Sequence, residues 1–245
     1  MKTLAMIGAA CALGAALLAP LSAAQADADS RFKAMLDRPA AVQTVKATAS
    51  TGEIVCTWYA DLMVRETATD TPDPDDATLT PIKPGGAKPA CKPAPGAGAI
   101  RLKTEGSALV GRKSGFLIWD VSDPNGAEPF MVMNASGRIL FTDATSPTSG
   151  LRRAATLQAG VLHLAYTRGY NAPCSLLQDA RGCWSKVTAA GVAPPSTPPP
   201  SCRAAYKGVG ADDPSVVVFT TEVTVDAAGK AAVLSRGMMG CLAMP

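Results

Sequence analysis

The chain has 245 residues, of which 47% are hydrophobic and 18% charged, and its formal net charge is +3. So small a charge gives no reason to expect nucleic acid or an anionic surface as a partner. The length suits one compact domain, or two small ones, and is enough to bury a hydrophobic core.

The first 26 residues have the three parts of a secretory signal peptide. A basic start at Lys2 precedes an uncharged, mostly apolar run, residues 4–19, and the small-residue pattern Ala24-Gln25-Ala26. The run is shorter than the roughly 20 residues that span a bilayer, which favours a cleaved signal over an anchor. We expect cleavage near Asp27 and a periplasmic or extracellular protein with no transmembrane segment after cleavage.

Residues 27–52 are predicted as a short helix followed by a linker or an edge segment. Ser30 can cap the helix, and Pro39 ends it. The apolar residues that share one face of this helix are Phe32, Met35 and Leu36.

Residues 53–245 are predicted as a single mainly-β domain. Apolar and polar residues alternate from Glu53 to Glu66, which is typical of one half-buried strand. The chain can return as a second strand at 78–82. The Pro- and Lys-rich segment 83–98 is expected to be an irregular surface loop.

Short apolar runs and turn residues alternate from residue 99 to residue 170, and residues 215–236 predict a C-terminal hairpin. Asn-Gly and Ser-Gly between apolar runs are hairpin signals, because these residues tolerate positive φ. Together these patterns give about nine to eleven strands. The predicted fold is therefore an antiparallel sandwich or a barrel-like sheet, stabilised by disulfides.

One amphipathic helix is predicted at about 173–190. At about 100° per residue its apolar side chains share one arc, so this face is expected to pack on the sheet. Asn171 is expected to cap the helix, Pro173 to begin it and Gly191 to follow it. The residues of the apolar stripe are Leu176, Leu177, Ala180, Cys183, Trp184 and Val187.

Six of the seven cysteines remain once the signal peptide, with Cys11, is removed. An even number of cysteines in an exported chain predicts that all six pair, as three structural disulfides. A helix through both Cys174 and Cys183 would place them roughly 13 Å apart along its axis, too far to bond. The expected pairs are therefore Cys56–Cys91, with Cys174 and Cys183 each joined to Cys202 or Cys241.

No motif indicates a catalytic or metal centre, and no cofactor is expected. The chain lacks a CxxC pair and has a single histidine, His163, which argues against a zinc site or a thioredoxin-like redox site. Without a GxSxG motif, His163 is expected to be a strand residue rather than a general base. The three tryptophans are expected in the core: Trp58, Trp119 and Trp184.

The favoured function is a non-enzymatic binding or structural module of the cell envelope, with an unknown protein or small-molecule ligand and long loops as the binding surface. The alternative is a hydrolase of envelope polymers that uses loop carboxylates. Four aspartates crowd one segment and could offer oxygen ligands to a cation, but they match no known calcium-loop spacing. They are Asp70, Asp73, Asp75 and Asp76.

Overall fold

The computed structural model describes residues 32–46, 52–68, 77–121, 126–147 and 154–244. These residues form two antiparallel β-sheets, one ten-residue α-helix and three disulfides. The predicted class, a mainly-β antiparallel fold stabilised by disulfides, is confirmed. The signal peptide predicted at 1–26 and the acidic segment at 70–76 lie outside the described residues.

The small sheet contains five antiparallel strands in chain order. They are β1 (Ala41–Lys46), β2 (Glu53–Trp58), β3 (Leu62–Ala68), β4 (Ala77–Pro81) and β5 (Ile100–Leu102). β1 pairs with β2 and forms one edge of this sheet. Of the two alternatives for the segment after Pro39, the structure therefore supports the edge segment.

The single strand predicted for residues 53–66 is in fact two strands, β2 and β3. The chain reverses between them, where the Tyr59 amide donates to the carbonyl of Leu62 over 2.8 Å. The reversal changes which positions share a face, so that Cys56 lies opposite Arg65 in the register. Apolar residues alternate with polar ones straight through the turn, so the period alone hides the reversal.

The large sheet has nine strands, in the order β13-β12-β11-β9-β8-β7-β6, with β10 paired to β11 and β14 to β12. They are β6 (Ala108–Lys113), β7 (Phe116–Asp120), β8 (Glu128–Asn134), β9 (Ile139–Thr145), β10 (Ala154–Gln158), β11 (Val161–Asn171), β12 (Ser215–Val225), β13 (Ala231–Arg236) and β14 (Gly240–Ala243). The predicted C-terminal hairpin, β12 with β13, is confirmed, whereas β14 was not predicted.

β7 is buried on both faces, because it lies between two hydrophobic clusters. Phe116 and Ile118 face the concave side of the large sheet, which curls until β6 approaches β10. Leu117 and Trp119 face the opposite way and pack on the small sheet. This double burial explains the unbroken apolar run of β7, and it makes the fold a sandwich whose larger sheet is barrel-like.

Residues 32–35 form a helical turn that packs its first residue against the large sheet. Phe32 is 4% exposed and belongs to the concave cluster, and Leu36 packs beside it. Met35 is 38% exposed, so it is less buried than Phe32.

The helix, α1, spans Ala180–Ala189 and is shorter than the predicted range of 173–190. Its N-cap is Asp179, whose side chain accepts a hydrogen bond from the Gly182 amide at 2.9 Å. Gly191 follows the helix with a φ of 74°, as predicted for the residue beyond its end.

The helix begins late because strand pairing extends through the residues predicted to start it. Asn171 belongs to β11, and the amide of Ala172 still donates to Ser215 over 2.8 Å. Asn171 and Pro173 therefore do not start the helix. Cys183, Trp184 and Val187 are buried as predicted. The other three stripe residues depart from the prediction, since Ala180 is exposed and Leu176 and Leu177 precede the helix.

The six cysteines form the disulfides Cys56–Cys91, Cys174–Cys183 and Cys202–Cys241. The predicted pair Cys56–Cys91 is confirmed. The expectation that Cys174 and Cys183 each join Cys202 or Cys241 is wrong. Cys174 lies outside the helix, so the chain folds back to bring the two Cα atoms within 5.7 Å.

Candidate functional site

The Pro- and Lys-rich loop, residues 83–98, covers the outer face of the small sheet. The indole Nε1 of Trp58 donates to the carbonyl of Pro89 at 3.0 Å. The guanidinium of Arg65 donates to the carbonyls of Lys92, at 3.1 Å, and Pro93. The Cys56–Cys91 disulfide adds a covalent link between the same face and the same loop.

These contacts explain how a loop without regular structure keeps a fixed position. Arg65 is 3% exposed and Trp58 is 5% exposed, so both side chains are buried beneath it. A buried guanidinium needs acceptors, and backbone carbonyls of an irregular loop have no ladder partners of their own. The guanidinium of Arg65 and the loop carbonyls therefore satisfy each other as hydrogen-bond donor and acceptors, and the loop closes over β2 and β3.

The loop leaves β1 uncovered, and an open groove of about 540 Å³ runs between them. Trp58 and residues 41–43 line one side of it, and residues 88–91 line the other. Ala41 is the register partner of Trp58, and Gln43 is the partner of Cys56, so these side chains share the outer face. Trp58 and the Cys56–Cys91 disulfide therefore form the base of the groove, beside the edge strand β1.

β1 is exposed along almost its whole length. Five of its six residues are exposed, and Val42 keeps 58% of its surface in solvent. β1 has a described partner, β2, on one side. An edge strand of this kind presents backbone donors and acceptors that another extended chain can pair with.

The groove lies in basic surroundings. The loop 83–98 contains three lysines and no acidic residue, and Lys83, Lys88 and Lys92 are all exposed. Arg38 and Lys46, also exposed, bracket β1. Within the described residues, no hydrogen bond or ion pair of the three loop ammonium groups is present to offset their charge.

A buried carboxyl joins the two sheets. Glu66 on β3 accepts a hydrogen bond from the Leu109 amide on β6 at 2.7 Å, where the ladder between β6 and β7 shifts register. Burial raises the pKa of Glu66 from 4.5 to about 7, and the Leu109 hydrogen bond opposes that rise in part. This contact is a structural link between layers and lies outside the groove.

A second polar cluster lies on the concave side of the large sheet. The Tyr166 hydroxyl and the Arg168 Nε both donate to Asp143, the latter at 2.7 Å. Burial, together with the Asp143 charge, raises the pKa of Tyr166 well above its usual value. The adjacent cavity has a volume of about 30 Å³, room for about one water molecule, so it cannot hold a substrate.

His163 lies on β11, half-buried, between Thr156 and Thr224 in the register. This position agrees with the predicted strand residue. Ser114 and Lys113 form a turn anchor, since the Ser114 amide donates to Asp37 and the Lys113 ammonium donates to the Met35 carbonyl.

The aspartates of the 70–76 segment lie outside the described residues, so the hydrolase alternative that depends on them stays a prediction. In the described part of the chain, no three His, Cys, Asp or Glu side chains group closely enough to hold a metal ion. The same part contains no helix with the length and apolar character of a membrane span. All three tryptophans are buried, as predicted.

Sequence reasoning missed the residues that build the groove. The alternation from Glu53 to Glu66 puts Arg65 among the polar residues of one strand, and the segment that forms β1 is predicted as a linker or an edge segment. The signal that could have located the groove is the combination of Cys56, Trp58 and a proline-rich segment that a disulfide must bring back to them.

Comparisons of the chain with protein-family models, with curated proteins and with solved structures gave no match.

Proposed function

We propose that this protein is an exported, non-enzymatic binding module of the cell envelope that holds an extended peptide segment in the groove along β1. The observation that carries the proposal is the open groove of about 540 Å³ beside the uncovered edge strand. Its volume falls in the range of about 300–1,000 Å³ that is typical of ligand sites.

Strand addition explains why this edge is left open. A peptide that adds to a sheet edge gains main-chain hydrogen bonds, and pockets for alternate side chains give specificity. At about 3.3 Å per residue, β1 offers an edge roughly 20 Å long. Val42, which is 58% exposed, supplies apolar contact area on β1 itself, and Ala41 lies beside Trp58 at one end of that edge.

Export is supported by the three disulfides and by the signal-like first 26 residues. Disulfides of this kind persist in oxidising compartments such as the periplasm and the extracellular space. The Cys56–Cys91 bond also serves binding directly, because it holds one wall of the groove in place before any partner arrives and lowers the entropy lost on binding.

The test is a selection of random peptides on the oxidised, immobilised protein. Ala90 lines the groove and is exposed, so Ala90→Trp should fill the groove without disturbing the core. Ala228, exposed in the turn between β12 and β13, offers Ala228→Trp as the matched control. Selected peptides should lose binding to the first variant and keep it with the second. Peptides that bind both variants equally, or a selection that yields none, would contradict the proposal.

A further inference from the structure

The loop wall of the groove carries the charge that selects its occupant. Lys88 lines the groove, and Lys92 follows the lining residue Cys91 in the same loop. Both are exposed, and no described carboxylate pairs with either side chain. Among the described acidic residues around β1 and its neighbouring turns, Glu53 lies opposite Lys46 at the far end of β1, Asp37 accepts a hydrogen bond from the Ser114 amide, and Asp61 is bound by Arg112.

We propose that the occupant of the groove is an acidic extended peptide, in which Asp or Glu side chains alternate with apolar ones. The inference rests on the proposed function and adds the chemical class of the partner. In a strand, alternate side chains point to opposite sides. Side chains of one set can therefore face the loop and the ammonium group of Lys88. Side chains of the other set lie on the opposite face with Val42, which pairs with Thr57 in the register and is 58% exposed.

Charge complementarity favours this occupant over a neutral or basic one. Opposite charges across an interface raise the association rate and exclude partners of the wrong sign. A basic peptide would place like charges against Lys88 and Lys92, and Arg38 and Lys46 would repel its two ends. Exposed pairs of this type are weak singly, so several must act together to discriminate between partners.

The chain also contains an acidic segment of its own, with Asp70, Asp73, Asp75 and Asp76 between β3 and β4. The loop lysines could select this segment in place of a partner. A variant with all four aspartates changed to asparagine separates the two cases, since it removes the internal competitor and leaves the lysines unchanged.

The experiment measures fluorescence anisotropy of three labelled octapeptides with the oxidised full chain. One alternates glutamate and valine, the second glutamine and valine, and the third lysine and valine. We expect the acidic peptide to bind at least about tenfold more tightly than the neutral one, with affinity that falls as salt screens the charges. Lys88→Glu combined with Lys92→Glu should remove this preference. The matched control is Lys207→Glu, which changes an exposed lysine in the turn after Cys202 and should leave the affinity unchanged.

The outcomes separate this inference from the function on which it rests. Equal binding of acidic and neutral peptides, still abolished by Ala90→Trp, overturns the acidic preference and supports the groove. No binding by any peptide overturns both. If the variant with four asparagines binds the acidic peptide at least about tenfold more tightly than the unmodified chain, the natural occupant is the internal segment, and the proposal of an external partner fails.

Discussion

Arg65 shows how one buried charge positions a whole loop. Its guanidinium is enclosed between the small sheet and the loop 83–98, and it donates to the carbonyls of Lys92 and Pro93. Removing it would leave these carbonyls without their donor under a covering loop. Buried polar groups that lose their partners are among the more destabilising changes in a protein.

Arg65→Met, which keeps much of the stem and removes the charge, is therefore expected to lower the free energy of unfolding by roughly 2–4 kcal/mol. Urea unfolding of the native chain and the variant at neutral pH measures this loss of free energy. Arg101→Met on β5, an exposed arginine, is the matched control and should change stability by less than about 0.5 kcal/mol. If the two variants proved equally stable, the Cys56–Cys91 disulfide and the Trp58–Pro89 hydrogen bond would be sufficient to hold the loop.

Glu66 makes stability depend on pH in a defined direction. Its pKa is raised from 4.5 to about 7 in the folded chain, so the folded state favours the protonated form. The stability that this proton provides is fully present below pH 4.5 and is lost as the pH rises through 7. The difference between the two pKa values corresponds to roughly 3 kcal/mol.

Glu66→Gln keeps an oxygen acceptor for the Leu109 amide and cannot ionise. The variant is expected to be about 1–3 kcal/mol more stable than the native chain above pH 7 and to match it near pH 4. Urea unfolding of both proteins across this pH range provides the comparison. A difference that stays constant with pH would show that folding does not shift the pKa of Glu66.

At the scale of elements, the closest approach between β9 and β11 depends on Gly169. A Cβ atom at this position would lie 2.8 Å from the Ala127 Cβ and 2.8 Å from the carbonyl oxygen of Thr145 on β9. The two strands share the register pair Arg168 with Thr145, and the hydrogen bonds of Tyr166 and Arg168 to Asp143 join the same two strands. The curl of the large sheet depends on this junction between β9 and β11.

Gly169→Ala is expected to destabilise the fold by roughly 1–3 kcal/mol, because the strands must move apart to admit the methyl group. Gly96 in the loop 83–98 has no atom within 4 Å of an added Cβ, so Gly96→Ala is the matched control. The control should be neutral or slightly stabilising. Thermal unfolding of both variants measures the contrast, and equal midpoints would mean that the junction is loose.

The elements differ in how far sequence could define them. Alternating runs bounded by Gly, Asn and Ser predicted β6 to β9 and the C-terminal hairpin, because local turn chemistry fixes them. The hairpin of β2 and β3 was hidden by alternation that continues through Tyr59–Asp61. The start of α1 was missed because Ala172 bonds with Ser215, a tertiary contact that local propensity does not encode.

At the scale of the whole molecule, composition and cysteine parity predicted a β-rich, disulfide-bonded chain. The groove could not be predicted, since it depends on Arg65 and Trp58 meeting a loop that follows them by about 25–30 residues. The Cys56–Cys91 bond was predicted and already implied this return of the chain. Which face the loop covers depends on the reversal at Tyr59–Asp61, which the sequence pattern concealed.

Export is tested by N-terminal sequencing of the protein recovered from outside the cytoplasm. The proposal predicts a first residue within two positions of Asp27, because the small-residue pattern ends at Ala26. An intact Met1 on protein extracted from membranes would show that the apolar run serves as an anchor.

The most direct test of the account is amide hydrogen exchange of the oxidised protein with and without the glutamate–valine octapeptide. Strand addition predicts slower exchange in β1, by about tenfold or more, because the added peptide protects backbone amides at that edge. β13, an edge strand with all six residues exposed, is the internal control and should not change. Unchanged exchange in β1, or protection of β13 instead, would contradict the groove as the binding site.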